Sequence, residues 1–225
     1  MNTPEIIAEL RSLASQTHRE GMAHFGIQNE RALGVSMGSL RQIGRRIGMK
    51  DHALAQELWD TGIHETRILA TIVDDPGSVT EEQMEQWVTE FDSWDLCDQC
   101  CGNLFDKTPY AWDKAVEWSA REREYEKRAG FALMAYLAVH NKKALDEQFL
   151  PYFAIIKREA GDRRNFVKKA VNWALREIGK RNAPLNQAAI ETARAILAQG
   201  NQGKWVASDA LRELTGEQVQ ARLKR

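Results

Sequence analysis

Cysteine and proline are scarce in this 225-residue chain, and both shortages narrow the fold. The three cysteines, Cys97, Cys100 and Cys101, form one odd-numbered cluster. Such a set is a poor disulfide framework. Cys97-x-x-Cys100 lacks the second pair that a four-ligand structural zinc site wants, so no metal is expected. The cysteines read instead as small apolar residues facing a helical core. Five prolines and few alternating β-branched runs argue against sheets. No apolar run approaches the roughly 18–20 residues that span a bilayer. The N-terminus, MNTPEIIAELRS, lacks the basic-then-apolar order of a signal peptide, so a cytoplasmic protein is expected. Nucleotide-loop and zinc-protease signatures are missing: there is no GxxxxGK(S/T), no GxGxxG after a strand and no HExxH, since His64-Glu65 has no second histidine. No cofactor is expected. Low-complexity segments and long Gly/Ser linkers are also absent, which favours one continuous domain over residues 1–225.

What is present is helical periodicity. Hydrophobic residues make up 43% and charged residues 28%, which suits a folded rather than a disordered chain. Apolar stripes at helical spacing predict helices at about 4–18, 38–48, 51–60, 64–73, 80–91, 93–105, 110–119, 122–140, 142–157, 164–181, 185–199 and 203–214, with a short tail at 217–223. Thr80 with Gln83 could form a capping box, Asp162 could cap the 164–181 helix, and Pro184 fits a first turn. Gly161 and Gly200 stop helices, and Pro151 should kink or split its segment. Phe131 to Val139 is apolar all round and should be a central buried helix. Helices of this length joined by short linkers predict an all-α fold, a superhelical stack of antiparallel pairs of the HEAT or armadillo kind with a concave basic binding face. A compact orthogonal bundle is the alternative.

Charge is uneven. Residues 1–154 carry 16 basic and 25 acidic side chains, a balance of −9, whereas residues 155–225 carry 15 and 7, a balance of +8. A basic third on an acidic body suggests an anionic partner, although a merely solvated basic surface would look the same. Within that third, Val167, Val171, Ala174, Leu175 and Ile178 share one helical stripe, and Trp173 falls about 145° from its centre. Trp173 shares the opposite side with Lys169, Arg176 and Lys180. The 93–105 helix repeats the pattern. Leu96, Cys97, Cys100 and Leu104 form its stripe, while Trp94 and Asp98 sit together about 105–145° away. Trp94 could pack on a neighbouring repeat with Asp98 answering an arginine, or the pair could serve a ligand. Arg128 leads into an apolar helix lined by Ala132 and Ala135, and so needs a counter-charge, Asp98 or another acid, or an anionic ligand. His18, His24, His52 and His140 are scattered and read as structural or surface residues. Trp59, Trp87, Trp112 and Trp118 follow or flank their stripes and read mainly as packing. Off-core tryptophans, a carboxylate, an arginine and a basic helix together favour nucleic acid: cations neutralise phosphates, and aromatic faces meet sugars or bases.

Trp94-x-x-x-Asp98, then Lys127-Arg128 entering an Ala-rich helix, then FVKKAVNWALRE at 166–177, resembles the HEAT-like DNA alkylation repair family of alkylpurine DNA glycosylases. The stretch from Gly34-Val35 through Leu40-Arg41 and DHALAQELWDTGIHETRILATIVDD at 51–75 is similar to the family's N-terminal half, and the likeness covers roughly residues 20–215. The resemblance implies a double-stranded DNA partner, alkylated or distorted, for a monomeric enzyme. It implies that Asp98 is the catalytic carboxylate, that Trp94 and Trp173 are aromatic walls, and that Arg128 contacts phosphate or the cleft. Lys169, Arg176, Lys180 and Arg164 would bind DNA together with Phe25. Two departures stand out. Phe25 replaces an aromatic that is commonly tyrosine, and Gly38 replaces a proline. An N3- or N7-alkylated purine is already cationic and leaves without a general acid, while a fixed carboxylate can stabilise the oxocarbenium-like sugar. No lysine neighbours Trp94 and Asp98 in sequence to form a Schiff base, so simple hydrolysis is expected. The alternative is a non-catalytic relative that recognises branched, bent or damaged DNA by shape.

Overall fold

Six of the described helices begin where a short polar side chain accepts one of the first free amides. In the computed structural model, which describes residues 1–27, 30–48 and 50–224, every regular element among the described residues is helical. Asn2 caps α1 (Thr3–Ser12), Ser15 caps α2 (Gln16–His24), Ser36 caps α3 (Met37–Ile47) and Asp51 caps α4 (His52–Asp60). Then follow α5 (His64–Val73), α6 (Glu81–Thr89) and α7 (Trp94–Asn103), with a single 3-10 turn at Phe105–Lys107. The remaining helices are α8 (Ala111–Ser119), α9 (Glu124–His140), α10 (Asp146–Glu159), α11 (Asn165–Gly179), α12 (Ala183–Ala198), α13 (Lys204–Leu214) and α14 (Glu217–Leu223). The chain divides into two compact units, residues 1–109 and 110–225.

In the first unit α5 is the hub, packed against α3, α4 and α7. Its Ile68, Leu69, Ala70 and Val73 are all buried. In the second unit the apolar α9 holds that place between α8 and α11, with Phe131, Leu133 and Met134 fully buried, as its all-round hydrophobicity requires. Gly130 makes the α8–α9 approach close enough that an added Cβ would lie 2.4 Å from the Ser119 nitrogen. Further along, α12 packs on α13, α11 and α10. None of the described helices is long and apolar enough to cross a membrane.

Four local expectations change. The predicted 4–18 helix is two helices, because the Ser15 amide leaves the helix to reach the Leu33 carbonyl at 3.1 Å while the Ser15 side chain starts α2. Pro151 lies inside a continuous α10. Both Pro151 and Glu147, whose carbonyl it leaves without an amide, are exposed, so water can take that bond. Asp162 does not cap α11. It accepts the Arg164 backbone amide at 2.9 Å and the Arg164 guanidinium at 2.5 and 3.0 Å. Thr80 does cap α6, but Gln83 turns its side chain to Asp74 at 2.8 Å instead of closing the box.

Candidate functional site

The apolar stripe of α7 is buried as its periodicity implies, but Asp98, expected off the core, is buried too. Leu96, Cys97, Cys100 and Cys101 are fully buried, and burial pushes the Cys100 and Cys101 thiols well above their ordinary range, leaving them protonated and inert. Trp94 is half-buried on the other side, and Asp98, one turn on, keeps 9% of its surface accessible. The Trp94 indole Nε1–H donates to the Phe25 carbonyl at 3.0 Å. Sixty-nine residues of sequence are thereby closed between the first turn of α7 and the C-terminal end of α2. The Phe25 ring itself is 69% exposed and meets His24 edge-to-face at 5.4 Å.

A buried carboxylate on α5 positions this end of α2. Glu65, 1% exposed, accepts the amides of Leu33, Gly34 and Val35 at 2.7–3.2 Å. Three successive N–H groups on one carboxylate fix the 33–35 loop. Gly34 adopts φ +80°, and a Cβ there would meet the Ser15 carbonyl at 2.2 Å, so both the backbone and the space demand glycine. The Gly34 carbonyl contacts His18 Nδ1 of α2 at 3.2 Å. Glu65 thus holds the loop, the loop holds α2, and the end of α2 receives Trp94. His64, the neighbour of Glu65, is itself buried and meets Asp95 Oδ2 at 2.9 Å. Burial alone would lower the His64 pKa, but the hydrogen bond and charge of Asp95 more than offset it and raise it. Burial likewise opposes ionisation of Asp95, and His64 outweighs it to lower the Asp95 pKa. Among the described residues no cluster of histidine, cysteine and carboxylate side chains suits a metal ion.

In the second unit, Arg128 is 6% exposed and donates to the Phe166 carbonyl, in the first turn of α11, at 2.6 Å. Lys127 beside it meets Glu159 at 2.5 Å. Trp173 stands off the packed stripe of α11. Val167, Val171, Ala174, Leu175 and Ile178 are fully buried, whereas Trp173 is half-buried and set edge-to-face on Tyr136 at 4.9 Å. Lys169 is exposed and makes no ion pair among the described residues. The other expected phosphate contacts are already neutralised within the unit. Arg176 pairs with Glu213 and approaches Asp209 at 3.9 Å, and Lys180 meets Glu177 and Glu213 at 2.7 Å each. Burial resists the Glu213 charge, but Lys180 and Arg176 hold its carboxyl below the usual range. Arg164 is bound to Asp162 and to the Glu122 carbonyl. Of the four expected basic contacts, three are therefore paired within the unit and Lys169 is exposed.

A family model described as DNA alkylation repair enzyme matches residues 6–214. The chain belongs to the DNA alkylation repair enzyme family. No curated protein sequence matches it significantly. A solved structure from a family related to the HEAT-like repeat DNA glycosylases, with affinity for branched DNA structures, superposes with a TM-score of 0.82 at 21% identity, over 99% of this chain and 96% of that one. The family member described here therefore has the HEAT-like repeat fold, as its helix lengths and linkers imply.

Trp205 on α13 was missed by the sequence reading. It is 45% exposed, with Lys168 Nζ 5.4 Å from its ring centre. The signal was available: Trp205 falls about 155° from the stripe formed by Val206, Ala207, Ala210 and Leu214, as Trp173 does from its own. Trp59, Trp87 and Trp118 are fully buried, in keeping with their packing role, and the first two stack at 3.8 Å.

Proposed function

We propose that this protein is a DNA glycosylase that hydrolyses the N-glycosidic bond of cationic N3- or N7-alkylated purines in duplex DNA. The observation that carries the reading is on α7: a nearly buried carboxylate, Asp98, with 9% of its surface exposed, one turn from a half-buried indole whose N–H is already committed to the Phe25 carbonyl. A tethered Trp94 cannot swing away, and its π face attracts a cationic sugar or base. Scission of the C1′–N bond returns the electron pair to the purine, which leaves neutral. Positive charge builds on the sugar, where the Asp98 carboxylate stabilises it and orients the incoming water. Water forms the new C1′–O bond and releases a proton to the carboxylate or to solvent. Trp173 and Arg128, with Lys169, are assigned to DNA contacts in the second unit. Membership of the DNA alkylation repair enzyme family supports the same chemistry.

The test is release of free base from duplex carrying N7-methylguanine. Asp98→Asn is expected to lower the rate by about 10²-fold or more, while DNA affinity stays within a few-fold. Full excision by Asp98→Asn would refute the role of Asp98. A second reading, a non-catalytic binder of branched or distorted DNA, draws on Phe25, which cannot supply a tyrosine hydroxyl, and on the branched-DNA affinity reported for the similar structure. Absence of base release by the wild-type protein, with junction binding intact, would select it.

A further inference from the structure

Three features outside the proposed catalytic turn could hold a partner. In the cavity of about 710 Å³ between Ala138, Lys142, Lys180, Arg181 and Arg222, most of the cations are already committed: Arg181 donates to the carbonyls of Ala138, Asn141 and Ala144, Arg222 to that of Lys180, and Lys180 to Glu177 and Glu213. The His64–Asp95 hydrogen bond is made within the fold, joining α5 to α7. The α13 surface around Trp205 is different, because the indole is 45% exposed and neither Lys168 nor Lys204 pairs with a carboxylate among the described residues.

Helices α11 and α13 run in the same direction and are laced rung by rung. Lys168 lies over Trp205, Asn172 donates to the Val206 carbonyl at 2.9 Å, and Arg176 and Lys180 reach Glu213. At the N-terminal end of this ladder the exposed face of α13 carries Lys204, Trp205 and Ser208, followed by Asp209 and Arg212, around a shallow cavity of about 600 Å³. Asp209 is the one acid there, and it is shared by Arg212 and Arg176. Lys168 and Lys204 leave a local excess of positive charge beside a large ring of which 45% is open to solvent. Burial would contribute more than this exposed position does, and the Lys168 contact covers only part of the ring. Lysines that neutralise phosphates beside an aromatic platform match an unpaired nucleotide.

We infer that Trp205, with Lys168 and Lys204, forms a stacking platform for the unstacked nucleotides of branched or frayed DNA. The inference rests on the DNA reading above and extends it to a residue and a substrate feature outside the catalytic turn. Intact duplex has its base faces covered and can meet this surface only through phosphates, so the ring adds discrimination between DNA forms.

The test measures binding of the full chain to a four-way junction and to a linear duplex of the same composition, at one salt concentration. Trp205→Ala is expected to lower junction affinity about tenfold and to leave duplex affinity within about twofold. Trp205→Phe, which keeps a ring, should restore most of the junction affinity and shows that the loss is not misfolding. Unchanged junction binding by Trp205→Ala overturns the platform, and so does an equal loss on both DNAs. Either result leaves base release by the wild-type protein as an independent check on the parent reading. A wild-type protein that binds neither DNA would overturn both.

Discussion

Two aspartates three residues apart on α7 differ in their partners. Asp95 meets the buried His64, while Asp98 lies one turn from Trp94 with 9% of its surface exposed. The His64–Asp95 pair makes stability depend on pH in a defined direction. The raised His64 pKa contributes stability that is complete below the ordinary histidine value of 6.5 and fades as pH rises through the folded-state value. The lowered Asp95 pKa contributes stability that is present above the ordinary 3.8 and fades as pH falls through its folded-state value. Stability should therefore be greatest between those limits and decline on the alkaline side. His64→Ala is expected to cost about 3 kcal/mol, because it leaves a buried carboxylate without its partner, and to flatten the alkaline decline. Urea titrations at pH 6 and pH 8.5 measure both effects. Trp173→Ala should cost only about 1 kcal/mol through its lost edge-to-face contact with Tyr136, and base release should fall much more than stability does.

At the scale of elements, the geometry around Trp94 depends on a loop that never touches it. The loop is pinned by Glu65 and reverses at Gly34. Gly34→Ala adds the strain of a left-handed residue to a clash with the Ser15 carbonyl, so a loss of about 2 kcal/mol or more is expected by denaturant melting. Glu65→Gln keeps the shape but weakens three charge-assisted bonds, and it should loosen amide protection at residues 33–35 in hydrogen exchange. The pattern of apolar residues located α3 to α14 well, because each buries a stripe. It failed at α2, QTHREGMAH, which has no fully buried residue and hence no stripe to read.

At the scale of the whole molecule, the +8 balance of residues 155–225 overstates the free positive charge. Glu213 absorbs Arg176 and Lys180 together. Glu213→Gln should thus raise DNA affinity and steepen its salt dependence, by about 0.9 in the logarithmic slope for each cation that turns to phosphate. Lys169→Glu should do the reverse, and both are read by titrating DNA binding across a salt series.

Taken alone, the chain determined its all-helical nature, the buried character of α9 and the position of Trp94 and Trp173 off their packed stripes. Those properties follow from residues three or four apart, which helical geometry places on known faces. The tertiary structure alone decided which polar groups are spent within the fold. Arg176 and Lys180 meet Glu213 across more than 30 residues, Trp94 meets the Phe25 carbonyl across 69, and Glu65 finds its amides about 30 residues away. Helical periodicity carries no information over such separations, because it records the direction a side chain takes from its own axis and not which helix arrives there.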